Sequence, residues 1–205
     1  MRLILLVFSF FFLACNNSID STTIVQVRQY KGFPKQELDT VVKTIETFYG
    51  VKVNILKEQE LYSNAFINVK TPRYRADSII KFQKKEINYT IDFVLGLTNK
   101  DISTTKTDKS GKTKKPKYKY QDWGIMGLAY CPGNSCIIST FRIKTNNKKQ
   151  YFSRLNKVSV HEFGHNLGLK HCQDKKCVMT DAVENVSTID NANLKLCENC
   201  FKKIN

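Results

Sequence analysis

The chain has 205 residues, of which 41% are hydrophobic and 11% aromatic, and its formal net charge is +15. This length and composition predict one globular domain with its own hydrophobic core and exclude a disordered chain. The charge comes mostly from lysine and favours anionic partners such as acidic substrates or lipid headgroups. The sequence shows no arginine-rich stripe and no nucleic-acid-binding motif, so we expect no nucleic-acid partner and interpret the lysines as a solvated surface.

The N-terminus has the composition of an export signal. A positively charged start precedes an apolar run from Leu3 to Leu13, which is too short to cross a bilayer. The run ends in Ala14 and Cys15 and is similar to a bacterial lipoprotein signal, in which the cysteine is lipidated. Phe12 departs from that motif, where leucine is more common.

This similarity predicts the domain organisation and the location of the protein. We expect a signal peptide at residues 1–14, a lipidated Cys15 with a tether at residues 15–22, and a single domain at residues 23–205. The mature protein would be an exported, lipid-anchored protein of the bacterial cell envelope, and we expect a monomer. The alternative is an ordinary secretory signal and a soluble secreted protein.

Strands and helices alternate after the tether. Apolar residues at helical spacing predict helices at Pro34–Tyr49 and Arg75–Lys84, with Gly50 just beyond the end of the first. Runs rich in β-branched residues predict strands at Thr23–Gln29, Val51–Leu56 and Tyr89–Leu97. The alternation predicts an α/β fold (α+β in the broad sense) in which helices pack on a mixed sheet.

The middle of the chain contains a lysine-rich segment at Lys100–Lys119. We interpret it as a solvated insertion, and the alternative is an exposed loop near the substrate. Two further strands are predicted at Trp123–Tyr130 and Cys136–Ile143, joined by a turn that begins at Cys131. Cys131 and Cys136 could form a short-loop disulfide or remain reduced.

A helix is predicted at Tyr151–Leu169, and it contains two of the three histidines of the chain. His161 and His165 are separated by one helical turn and therefore share a face, a spacing that suits two ligands of one zinc ion. Glu162 completes an H-E-x-x-H motif, in which the glutamate acts on water rather than binding the metal. The five residues alone are only moderately specific.

The residues that follow extend the motif. Gly168 lies three residues after His165, and His171 lies three residues after Gly168. A third ligand this close in sequence cannot continue the same helix and still reach the metal, so the chain must turn at a residue that tolerates unusual backbone angles. The complete H-E-x-x-H-x-x-G-x-x-H pattern is the zinc signature of the metzincins.

Four cysteines and a methionine follow the last histidine. They are Cys172, Cys177, Met179, Cys197 and Cys200. The string H-E-x-x-H-x-x-G-x-x-H-C-x4-C-x-M-x17-C-x-x-C matches the archaemetzincin signature at every fixed position. The chain therefore resembles an archaemetzincin-type zinc metallopeptidase, and the motif covers residues 161–200.

The resemblance implies a single compact metzincin-like domain with two zinc ions. A catalytic zinc would be held by the three histidines, and Met179 would lie in a turn beneath it. A structural zinc would be held by Cys172, Cys177, Cys197 and Cys200. The cysteine spacing also suits a closed tetrahedral site, although two disulfides are the alternative in an oxidising compartment.

The resemblance also implies the reaction, which is the hydrolysis of peptide bonds in a peptide or protein substrate. A zinc-bound water would attack the carbonyl, with Glu162 as general base. Two alternatives belong to other classes of protein. One is a non-catalytic zinc-binding protein, against which the intact Glu162 argues, and the other is a basic interaction module on a membrane surface.

Overall fold

The structure is a computed structural model that describes residues 19, 22–87, 92–181 and 185–204. The predicted signal peptide and Cys15 lie outside the described residues, as do the first residues of the predicted strand Tyr89–Leu97. Among the helices that the structure describes, none combines the length and the apolar composition needed to span a bilayer.

Strands and helices alternate along the described part of the chain. They are β1 (Ile24–Tyr30), α1 (Lys35–Tyr49), β2 (Lys52–Gln59), a 3-10 turn (Ser63–Ala65), β3 (Phe66–Asn68), β4 (Pro72–Arg75), α2 (Ala76–Lys85), β5 (Phe93–Thr98), β6 (Ile102–Thr104), α3 (Lys117–Tyr120), β7 (Trp123–Ile125), β8 (Gly127–Ala129), β9 (Ser135–Ser139), α4 (Lys148–Asn166), α5 (Val186–Asn191) and α6 (Glu198–Phe201).

The strands form two sheets. The larger sheet has the order β2-β1-β5-β9-β8, and only its outer strand β8 is antiparallel to its neighbour. The smaller sheet has the order β3-β4-β6-β7, with β4 and β6 parallel and the outer pairs antiparallel. The large sheet is thus mixed, as the sequence predicts, and its antiparallel edge strand lies beside the functional site.

Helices cover both faces of the large sheet. On one face α1 and α4 bury a core that includes Val27, Leu95 and Ile138. On the other face α2 packs with Tyr30 and Ile137. Because adjacent residues of β9 point to opposite faces, Ile137 and Ile138 belong to different cores. This two-faced burial explains why every residue of β5 and β9 is buried and why the sequence of β5 is almost entirely apolar.

The longer predicted elements are confirmed, with shifted ends. Helix α1 ends at Tyr49, because Gly50 follows it with a left-handed φ of 68°. Helix α4 begins at Lys148, because the Asn147 side chain accepts a hydrogen bond from the Gln150 N–H at 3.0 Å and so caps the helix. The predicted strand Cys136–Ile143 is shorter, since β9 ends at Ser139.

The structure corrects two sequence predictions and adds two strands that were not predicted. The predicted strand Trp123–Tyr130 is two strands, because the chain passes from one sheet to the other at Met126. The segment Lys100–Lys119 contains β6 and most of α3 and is therefore partly regular structure. Strands β3 and β4 were not predicted, because three or four residues are too few to show an alternating pattern.

A buried amide joins α2 to the large sheet. The Gln83 side chain is fully buried and accepts a hydrogen bond from the Tyr30 hydroxyl at 3.0 Å. Its Nε2 donates to the Ser135 hydroxyl at 3.0 Å and to the Cys136 carbonyl at 2.9 Å. A buried amide with its polar atoms paired in this way fixes the position of α2 over β1 and β9.

The variant Gln83→Ala should lose these three bonds and leave buried polar groups of β1 and β9 without partners. We expect the free energy of unfolding to fall by about 2–4 kcal/mol. Urea unfolding followed by circular dichroism measures this change. Lys81→Ala, an exposed position on the same helix, is the matched control and should change stability by less than about 0.5 kcal/mol. Equal effects of the two variants would contradict the structural role of Gln83.

Candidate active site

Helix α4 presents His161, Glu162 and His165 at its C-terminal end. The helix ends at Asn166, and Gly168 follows with a left-handed φ of 88°. The Gly168 N–H donates to the His165 carbonyl at 2.8 Å, and the Leu169 N–H donates to the Gly164 carbonyl at 3.0 Å. These bonds satisfy the last carbonyls of the helix while the chain reverses direction, as the glycine in the motif predicts.

The reversal brings His171 to the two helical histidines. One ring nitrogen from each of His161, His165 and His171 lies within 4.8 Å of the others. The Nε2 atoms of His161 and His165 are 3.0 Å apart, near the separation of about 3.3 Å between two nitrogen ligands of a tetrahedral zinc. The structure therefore brings together the three histidines that the sequence predicts as ligands.

Hydrogen bonds at the opposite ring nitrogens orient these imidazoles. His161 Nδ1 donates to the Val178 carbonyl at 2.9 Å, and His165 Nδ1 donates to the Leu169 carbonyl at 2.6 Å. A carbonyl can only accept, so the protons reside on Nδ1 and both Nε2 atoms carry lone pairs. Two facing lone pairs at 3.0 Å repel unless a cation lies between them, and the donor set therefore fits a metal ion.

Burial keeps the two helical histidines neutral. It lowers the pKa of His161 to about 3 and lowers the pKa of His165 as well. Metal binding requires the neutral imidazole, so the low pKa values favour ligation over protonation. The third histidine lies nearer to solvent, and its Nδ1 is 3.6 Å from the Asp181 carboxylate. Asp181 was not predicted from the sequence, because the motif has no fixed acidic residue at that place.

Glu162 is buried beneath the edge strand of the large sheet. A β-carbon added to Gly127 of β8 would lie 2.5 Å from both Cγ and Oε1 of Glu162, so the strand and the carboxyl group are in close contact. Burial raises the pKa of Glu162 to about 8. Gly127 was also not predicted, because its role depends on the packing of β8 against α4, which has no local sequence signal.

The four C-terminal cysteines form a second cluster. Their sulfur atoms lie within 4.8 Å of one another, and the Cys172 and Cys197 sulfurs are 3.6 Å apart. This distance is far longer than a disulfide of about 2.05 Å and close to the separation of about 3.8 Å between two thiolates on a tetrahedral zinc. All four are free cysteines, which favours the predicted metal site over two disulfides.

Hydrogen bonds and burial act in opposite directions on the thiols of this cluster. The Cys197 N–H donates to the Cys177 sulfur at 3.3 Å, and a backbone hydrogen bond from Cys200 lowers the pKa of the Cys197 thiol. Burial raises the pKa of the Cys177 and Cys200 thiols. Four convergent cysteines are nevertheless a ligand set that fits zinc, whose charge would stabilise the thiolates.

A short backbone connection joins the two clusters. The Cys172 N–H donates to the Met179 carbonyl at 2.8 Å, and Cys172 forms a parallel bridge with Thr180. Met179 is fully buried, and its sulfur lies 2.7 Å from the place that a β-carbon on Gly164 would occupy. The methionine therefore packs against α4 at Gly164, between the two histidines of that helix.

The site opens into a cleft of about 890 Å³. The cleft is lined by the three histidines, Glu162, the strands β7 and β8, and Ile189 of α5. Lys106 and Trp123 also line it, so the lysine-rich segment is adjacent to the site. This position agrees with the alternative interpretation of that segment, an exposed loop near the substrate, which its composition alone did not favour.

Cys131 and Cys136 are separated by the fold. Cys136 is fully buried in the core beneath α4, whereas Cys131 is exposed and lines the cleft, where its sulfur lies 3.5 Å from the Leu169 carbonyl. Both are free cysteines. Of the two states that the sequence leaves open, the structure therefore shows the reduced one.

The family model of peptidase family M54 matches residues 21–205, and the chain belongs to this family. It is 27% identical over 186 residues to the archaemetzincin of Haloquadratum walsbyi, a match that covers 86% of this chain and 95% of the relative. It is 28% identical over 178 residues to the archaemetzincin of Saccharolobus solfataricus, with 83% of this chain and 86% of the relative covered.

Solved structures have the same fold. The crystal structure of archaemetzincin from Archaeoglobus fulgidus matches with a TM-score of 0.70 at 23% identity, covering 89% of this chain and 100% of that one. The structure of archaemetzincin from Methanopyrus kandleri matches with a TM-score of 0.70 at 22% identity and covers 89% and 94%. These similarities confirm the predicted single compact α/β domain.

Family membership establishes the class of protein. The chain is an archaemetzincin-type zinc metallopeptidase, and its substrate is a peptide or protein. The alternatives of a non-catalytic zinc-binding protein and of a basic membrane-surface module are not favoured.

Proposed function

We propose that His161, His165 and His171 hold the catalytic zinc and that Glu162 is the general base for peptide hydrolysis. The observation that carries this assignment is the convergence of three imidazole nitrogens within 4.8 Å at one wall of the cleft. The Glu162 carboxyl group lies in the same cleft. The other group of described residues that could hold a metal ion consists of four cysteines and contains no histidine.

The chemistry divides between the metal and the chain. When bound, zinc supplies a Lewis acid that polarises a peptide carbonyl and lowers the pKa of water. Glu162 accepts the proton of the attacking water and delivers it to the departing amine. Burial raises the pKa of Glu162 to about 8, so its carboxylate is a stronger base once ionised, and the charge of a bound zinc would favour the ionised form. Strand β8 lies against the Glu162 side chain at Gly127, where a β-carbon would not fit.

We further propose that Cys172, Cys177, Cys197 and Cys200 hold a second, structural zinc. The free thiols and the 3.6 Å separation of two of the sulfurs support a closed four-thiolate site. Cys172 follows His171 directly in the chain, and its N–H donates a hydrogen bond to the Met179 carbonyl. A metal ion bound by the cysteines would therefore order the backbone at His171 and at Met179. The structural ion would thereby hold His171 in position.

The lipid anchor at Cys15 and the location in the bacterial cell envelope are part of the same proposal. They rest on the sequence of residues 1–22, most of which lies outside the described residues. The family match begins at residue 21, which agrees with a peptidase domain that follows a separate signal and tether. The membrane would then be a partner through the lipid on Cys15, and the catalytic domain would act as a monomer beside it.

The variant Glu162→Gln tests the assignment of the general base. The amide retains the shape of the side chain but cannot accept a proton, so kcat should fall by at least about 100-fold while the zinc content remains that of the wild type. Hydrolysis of a fluorogenic peptide and metal analysis by mass spectrometry give the two quantities. Full activity in this variant would exclude Glu162 as the base.

The variant Gly127→Ala tests the close contact between β8 and the carboxyl group. The added methyl group would overlap with Glu162, which must move, and kcat/KM should fall by about 10- to 100-fold. Because the methyl group overpacks a buried contact, the free energy of unfolding should also fall, by about 1–3 kcal/mol. Zinc content serves as the control for an intact metal site. Unchanged kcat/KM would show that the position of Glu162 does not depend on β8.

Metal analysis of the wild type and of Cys197→Ser tests the number of ions. We expect two zinc ions per wild-type chain and one in the variant, because removal of one thiolate opens the four-ligand site. Cys131→Ser is the matched control, since this cysteine is outside the cluster, and it should retain two ions. One zinc in both the wild type and Cys197→Ser would refute the structural ion and leave the catalytic assignment intact.

A further inference from the structure

The three histidines of the active site have different surroundings. The imidazoles of His161 and His165 each donate from Nδ1 to a backbone carbonyl, at 2.9 Å and 2.6 Å. His171 lies beyond the end of helix α4, and its side chain is 43% exposed. Beside its Nδ1, at 3.6 Å, lies the carboxylate of Asp181. The third histidine is thus accompanied by a charged side chain where the other two have a carbonyl.

The backbone brings Asp181 and His171 together. The Cys172 N–H donates to the Met179 carbonyl at 2.8 Å, and Cys172 forms a parallel bridge with Thr180. His171 directly precedes Cys172, and Asp181 directly follows Thr180. The two segments therefore run side by side at this point, and the carboxylate meets the imidazole because the paired backbone places it there.

Asp181 also lies close to the rest of the histidine site. Its side chain lines the same cleft as the three histidines and Glu162. Burial lowers the pKa of His165, and the negative charge of Asp181 acts on that ring in the opposite direction. The carboxylate is therefore within electrostatic reach of two of the three imidazoles. A negative charge in this position stabilises a divalent cation held by them.

We propose that Asp181 is a positioning residue that accepts a hydrogen bond from Nδ1 of His171, so that Nε2 of His171 faces the catalytic zinc. This pairing gives all three imidazoles the same arrangement, with a protonated Nδ1 and a ligating Nε2. The inference rests on the proposed function, because it concerns the same three-histidine site.

The chemistry of the pair favours this role. The N–H of a metal-bound imidazole is a stronger donor than that of a free one, so the interaction strengthens when the site is occupied. A hydrogen bond to a carboxylate has a length of about 2.8 Å, which is shorter than the observed 3.6 Å. Both side chains are about half exposed, so packing does not prevent a small rotation that closes this distance.

The small number of histidines makes the hydrogen bond directly observable. The chain contains three, so the zinc-loaded full chain labelled with ¹⁵N-histidine gives three imidazole signals in a long-range ¹H–¹⁵N spectrum. We expect each ring to carry its proton on Nδ1. In Asp181→Ala the Nδ1 proton of His171 should exchange with water about tenfold faster. The Nδ1 protons of His161 and His165, which are bonded to backbone carbonyls, should be unchanged and serve as internal controls.

Zinc affinity gives a second readout. The zinc content of the full chain is measured by mass spectrometry after equilibration with buffered zinc of graded concentration, and His161→Ala identifies the step that belongs to the histidine site. In Asp181→Ala this step should move to about tenfold higher free zinc, because the loss of such a partner weakens metal binding and the carboxylate is half exposed. Asp181→Asn keeps an acceptor oxygen but loses the charge, and it should move the step by about threefold.

A charge-matched control assigns the effect to the position of the carboxylate. Glu60→Gln removes an exposed carboxylate that directly follows β2, the strand at the edge of the large sheet opposite β8, and should leave the histidine-site step unchanged. Equal shifts in Glu60→Gln and Asp181→Ala would mean that only the net charge matters and would overturn the inference. A parallel shift of the cysteine-site step in Asp181→Ala would indicate a general loss of structure and would also overturn it.

The remaining outcomes separate this inference from the proposed function. An unchanged histidine-site step in Asp181→Ala, or a His171 ring that carries its proton on Nε2, would overturn the inference alone. A loss of zinc as large as that in His171→Ala would show that Asp181 is itself a ligand and would overturn the positioning role. A wild-type chain without a histidine-site step would overturn the proposed function first.

Discussion

The turn at Gly168 is the constraint on which the rest of the site depends. A helix can place two histidines on one face, but a third ligand requires the chain to reverse, and the left-handed φ of 88° makes this possible. The same turn presents the Leu169 carbonyl to His165 Nδ1, which orients that ligand. The chain continues from this turn to His171 and Cys172, so a single reversal positions one residue of the histidine cluster and one of the cysteine cluster.

Burial supplies the chemical properties of these side chains. The helix α4 is packed between the sheet and the C-terminal segment, and this environment lowers the pKa of His161 and raises that of Glu162. The neutral imidazole is the form that binds zinc, and the raised pKa strengthens the base. A helix exposed to solvent would have the same motif but lack both effects. The hydrophobic core thus contributes to function as well as to stability.

The small sheet gives the cleft its asymmetry. Its strand β7 and the segment after β6 bring Trp123 and Lys106 to the cleft, which Ile189 of α5 also lines. Two of the cations that line the cleft belong to the fold itself, because Arg142 is paired with Asp101 and Lys157 donates to backbone carbonyls. The walls of the cleft are therefore built by segments outside the zinc signature.

The sequence by itself determined the longer helices and strands and predicted the proposed metal-ligand sets and general base, because these depend on short-range spacing along the chain. His161, His165 and Gly168 obey the geometry of one helix and one turn, and the cysteines follow at fixed intervals. The tertiary structure alone decided the contact of Gly127 with Glu162, the separation of Cys131 from Cys136 and the position of Lys106 beside the cleft. These contacts and positions arise where segments distant in sequence pack together, and a local sequence pattern cannot predict them.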